Sequence, residues 1–123
     1  MPPTREAPPY QRARNPGSTS YDQYTALNEV GKYQEALPFA EEALRLGERQ
    51  FGENGQTTLL FLINLGELYI TLGDYAKAEP LLKRALEINE KALGPDHPHV
   101  AARLNNLGLL YEALGEYAKA EPL

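Results

Sequence analysis

Apolar and small residues are spaced along this chain in helical phase, in runs separated by glycine. From Thr58 to Leu72 the residues Leu62, Leu65, Gly66, Tyr69 and Leu72 recur at steps of three and four, which gathers them on one face of a helix. Gly73 tolerates left-handed backbone and predicts the end of that helix, and Asp74 offers a side chain that can accept from the free amides of the next. The second helix is predicted from about Tyr75 to Leu93, with Ala78, Leu82, Ala85, Leu86 and Leu93 on its inner side, and Gly94, Pro95 and Asp96 stop it. The pattern restarts near His99 and runs through Leu104, Leu107, Gly108, Tyr111, Leu114 and Gly115. Pro80 falls about six residues after the cap, where a missing amide predicts a kink in a helix that otherwise continues.

These runs are copies of one another at a period of 42 residues. Gly31, Gly73 and Gly115 are so spaced, as are Tyr33, Tyr75 and Tyr117, Ala36, Ala78 and Ala120, and Pro38, Pro80 and Pro122. Residues 58–81 and 100–123 agree at 15 of 24 positions. A period between 20 and 50 residues predicts stacked supersecondary units, here an all-α solenoid of antiparallel helix pairs with about two and a half repeats. The units are expected at about 21–57, 58–99 and 100–123, the last truncated. Gly inside a helix costs about 1 kcal/mol relative to Ala, so Gly66 and Gly108 at one phase argue for close helix packing that offsets the cost.

The residues also resemble a known family. Leu62-x-x-Leu65-Gly66-x-x-Tyr69 followed by Ala78-x-x-x-Leu82 is similar to the tetratricopeptide pattern, with Leu in place of the usual Trp and Phe. The 42-residue period, Leu-Asn-Asn-Leu-Gly at 104–108, Ala-Glu-Pro-Leu at 78–81 and Leu-Gly-Pro-Asp-His-Pro at 93–98 resemble the kinesin-light-chain type of that repeat. The likeness covers about Tyr24 to Leu123. It implies a non-catalytic protein–protein interaction scaffold that takes a peptide or helix of a partner along a concave face. The alternative it leaves open is the regulatory repeat portion of a larger signalling ATPase or caspase-like protease.

Two departures qualify the likeness. The first unit is degenerate, with Tyr24 where Gly66 and Gly108 stand and Gln23 in place of Leu65, so its first helix is expected to be short, about Tyr21 to Val30, and loosely packed. The chain also stops at Leu123, one or two turns into the third unit's second helix. A fragment of a longer array, or self-association through the truncated C-terminal end, is the corresponding expectation.

The resemblance implies that the first helices line a concave groove, and the phase opposite the core picks out its residues. These are Leu60, Ile63, Glu67, Ile70 and Thr71 with Asn64 at the edge, then Ala102, Asn105, Leu109, Glu112 and Ala113 with Asn106 at the edge. Leu60, Ile63, Ile70 and Leu109 form a candidate apolar strip. Asn64, Asn105 and Asn106 could grip a peptide backbone, since an amide both donates and accepts; Asn64 and Asn106 could equally bond within or between repeats. Glu67 and Glu112 make the face mildly acidic, which favours a basic or apolar peptide.

Composition and charge narrow the remaining classes. The chain has 123 residues, no Cys and no Trp, with a net charge of −5. Arg5, Arg12 and Arg14 against Glu6 leave +2 in residues 1–20 and hence −7 in the rest. The first segment also carries Pro2, Pro3, Pro8, Pro9 and Pro16 and reads as a disordered basic tail. The acidic remainder would repel phosphates, so no nucleic-acid partner is expected. His97 and His99 beside Asp96 suggest a metal, but no Cys or second His cluster completes a ligand set, and turn chemistry is the reading preferred. Glu41, Glu42, Lys83 and Arg84 fall on second helices, where charged runs form a solvated convex face. No phosphate-binding glycine loop is present, and Ser18 and Ser20 are the only serines. No catalytic residue, metal or cofactor is therefore expected, and with no apolar run near the roughly 20 residues of a membrane span a cytoplasmic chain is the default.

Overall fold

The computed structural model describes residues 18–115. They form five helices in succession: α1 (Ser18–Glu29), α2 (Tyr33–Phe51), α3 (Gln56–Thr71), α4 (Tyr75–Leu93) and α5 (Pro98–Ala113). No strand occurs among the described residues. The main packing contacts join each helix to the next in sequence, as a solenoid requires. Helix α1 begins at Ser18, inside the segment 1–20 expected as a tail. Residues 1–17 and the expected second helix of the third unit, including Tyr117, Ala120 and Pro122, lie outside the described residues.

The glycines set the period by their backbone angles. At Gly73, with φ of +79°, the amides of Gly73 and Asp74 turn back to the carbonyls of Ile70 and Tyr69, at 3.0 and 2.8 Å. That pair of hydrogen bonds satisfies carbonyls left open at the end of α3 and reverses the chain into α4. Gly31 repeats it after α1, its amide on Asn28 and that of Lys32 on Leu27. Gly52 and Gly94 close the second helices differently, with φ of +82° and +86° and ψ of 167° and 159°, a region that only glycine enters freely. Asp74 does not act as expected: it stands at the N-cap of α4, but its side chain makes no capping bond and lies 3.7 Å from Lys77. Helices α2 and α4 continue past Pro38 and Pro80.

Small residues meet large ones where helices approach. Leu62, Leu82, Ala36, Ala78 and Ala85 are wholly buried. A Cβ on Gly66 would come within 2.8 Å of Leu82 Cδ2, so the helix glycine is there to admit the α4 leucine. Tyr24 occupies the place of Gly66 one period earlier, and Ala40 occupies that of Leu82; the bulk has changed sides and both residues are buried. The first unit is therefore not loosely packed at this point. Tyr21 adds to it, its ring centroid 5.4 Å from Phe61 and 6.1 Å from Tyr24.

Candidate functional site

The residues expected to line the groove lie on α3 and α5, the first helices of the second and third units. Leu60 and Leu109 are the large apolar residues among them that are exposed, at 43 % and 57 %. Glu67, Thr71, Ala102, Asn105, Glu112 and Ala113 are exposed as well. Ile63 and Ile70 are half-buried against the core cluster, because they sit at the border between the outer face of α3 and its packed flank. Of the four residues expected to form the apolar strip, Leu60 and Leu109 are exposed and Ile63 and Ile70 are half-buried. Asn64 and Asn106 are half-buried, and among the described residues neither side chain makes a hydrogen bond.

Burial, and then the Glu67 carboxylate, push the Tyr24 hydroxyl above its ordinary pKa. Thr71 Oγ1 donates to the Glu67 carbonyl at 3.1 Å, so its hydroxyl is engaged within the helix.

Several charged residues expected on a solvated back face instead tie units together. The Tyr69 hydroxyl donates to Glu41 at 2.7 Å, joining α3 to α2. Arg84 Nη2 of α4 donates at 3.0 Å both to Glu48 of α2 and to the Glu53 carbonyl in the α2–α3 turn. Thr58 Oγ1, wholly buried, donates to the Gly52 carbonyl at 2.7 Å. None of these partners was legible from the helical phase, which reports burial but not what a neighbouring unit presents.

The two histidines have a structural task. His97 is the N-cap of α5, its Nδ1 accepting the His99 amide at 3.1 Å, with Pro98 at the first helical position. No group of three or more His, Asp or Glu positioned for a metal occurs among the described residues. No helix among them is long and apolar enough to cross a membrane.

Comparison with known proteins fixes the family. The profile of the Tetratricopeptide repeat matches residues 25–91 and again residues 57–123. The chain belongs to the tetratricopeptide repeat family. Solved structures agree: 27 chains match, among them the crystal structure of BtubC (BKLC) from P. vanneervenii, with a TM-score of 0.77 and 23 % identity. That likeness covers 95 % of this chain, which spans 44 % of the length of the other, and at such identity it speaks for the fold. No curated protein matches the sequence. Tetratricopeptide repeats generally mediate protein–protein interaction and are generally non-catalytic.

Proposed function

We propose that this chain is a non-catalytic scaffold that binds a peptide or helix of a partner protein along the concave face formed by its first helices. The observation that carries it is the exposure of Leu60 and Leu109 on the outer faces of α3 and α5, at 43 % and 57 %. An exposed leucine in each of two successive units offers apolar anchors to one elongated ligand. Asn105 beside them supplies an amide for the ligand's backbone, while Glu67 and Glu112 favour basic side chains. A partner segment of apolar residues flanked by Lys or Arg fits this set. The 42-residue repeat and the Leu-Asn-Asn-Leu-Gly stretch support a kinesin-light-chain type of array.

Peptides selected on the chain from a random display library test the reading. Leu60→Glu and Leu109→Glu should each abolish their binding with the melting temperature unchanged, because both side chains are exposed. Lys91→Glu on α4 is the control and should bind as the unmodified chain does. Binding that survives both leucine variants would remove the concave face from the proposal.

A further inference from the structure

The two junctions between units are built from different chemistry at the same place. At the first, the Phe61 ring of α3 lies over Gly47 of α2 so closely that a Cβ there would meet Phe61 Cδ2 at 2.7 Å. One period on, the same two positions hold Asn89, 3 % exposed, and Arg103. The Arg103 Nε and Nη1 are buried with no hydrogen-bond partner. Buried donors without acceptors are costly, and a guanidinium carries five N–H groups to satisfy. The first junction is further fastened by Thr58 to the Gly52 carbonyl. At the second, Val100 stands where Thr58 does and has no hydroxyl to give.

We infer that the second junction is a polar joint about which α5 pivots on α3 and α4, while the first junction is rigid. Opening the first would wet the Phe61 ring and break the buried Thr58 bond; each junction also holds one tyrosine contact, Tyr69 to Glu41 at the first and Tyr111 to Lys83 at the second. Opening the second hydrates the stranded donors of Arg103, so part of its cost is returned by water. The joint lies between Leu60 of α3 and Leu109 of α5. Resting on the proposed groove, it lets the distance between the two anchors adapt to the bound segment, but the motion itself requires no ligand.

The chain has no cysteine, so paired spin labels can be placed without background. Glu29, Thr71 and Ala113 are exposed and 42 residues apart, one at the end of each first helix. Label distances between Glu29→Cys and Thr71→Cys should be narrowly distributed. Those between Thr71→Cys and Ala113→Cys should spread about twice as widely, measured with no partner present. Adding Asn89→Gly and Arg103→Phe, which copies the first junction, should narrow the second distribution to the width of the first. Should that double variant fold poorly, Arg103→Met removes the stranded donors at similar length and should narrow it too. Equal widths in the unmodified chain, or a second distribution that neither variant narrows, would overturn the joint whether or not the groove binds peptide.

Discussion

Tyr69 donates its hydroxyl to Glu41 at 2.7 Å, and one period later Tyr111 interacts with the Lys83 ammonium. The same tyrosine therefore serves a carboxylate at one junction and an ammonium at the next, because a phenol both donates and accepts. Tyr69 is 6 % exposed, so its ring is anchored and only the hydroxyl's partner varies. Tyr69→Phe should cost about 1 kcal/mol in urea unfolding, the usual worth of a bond whose other partner stays hydrated. Glu41→Lys should cost less than Glu41→Ala, since the phenol accepts from the new ammonium. A lysine variant as damaging as the alanine would show that the carboxylate, and not simply a polar partner, is needed.

Alkali should act through the same residues. The Tyr69 pKa is raised well above its usual value of 10, chiefly by burial and then by the Glu41 carboxylate, and that of Tyr24 is raised by burial and then by Glu67. A phenol that stays protonated in the folded chain after the unfolded chain has lost its proton gives stability that is complete below pH 10 and declines above it. The slope can reach about 1.4 kcal/mol per pH unit for each such group. Unfolding free energy measured from pH 8 to 11 should be level and then fall beyond pH 10. Tyr69→Phe should make the fall shallower, and an unchanged slope would assign it elsewhere.

The sequence disclosed the fold through features that depend on the chain alone. Gly73 and Gly94 bound a helix expected from about Tyr75 to Leu93 and found at Tyr75–Leu93, because turn geometry is written in the residue that must adopt it. The groove was harder. Ile63 and Ile70 lie on the outer half of α3 by phase yet are half-buried, since the width of the packed flank depends on how neighbouring helices lean. Asp74 had the right type to cap and did not, whereas His97 took that task through a ring nitrogen. Glu41 and Arg84 look solvated on a helical wheel because their partners, Tyr69 and Glu48, belong to other units.

Gly66 is expected to resist even the smallest side chain. Alanine would gain about 1 kcal/mol of helix propensity, but its Cβ would reach within 2.8 Å of Leu82 Cδ2, so the wholly buried Leu82 side chain would have to shift. Gly66→Ala should therefore lose about 1 to 2 kcal/mol net in urea unfolding. Leu82→Ala alone should cost about 2 to 5 kcal/mol as a cavity, and the pair should cost less than the sum because each change relieves the other. Tyr24 opposite Ala40 is this chain's own form of the exchange. Additive losses would mean that Gly66 is not fitted to Leu82.

His97 gives a test of α5 alone. Its Nδ1 is the side-chain acceptor recorded for that helix start, taking the His99 amide at 3.1 Å. His97→Ala removes the acceptor and should cost about 1 kcal/mol. His97→Asp keeps an acceptor at the same place and adds a negative charge where the helix dipole is positive, worth a further 0.3 to 1 kcal/mol or so. Thermal unfolding should thus rank the aspartate variant above the unmodified chain and the alanine variant below it, with the gain from aspartate shrinking as salt screens the dipole. An alanine variant that melts with the unmodified chain would show that Pro98, which fixes φ at the first helical position, starts α5 without the imidazole.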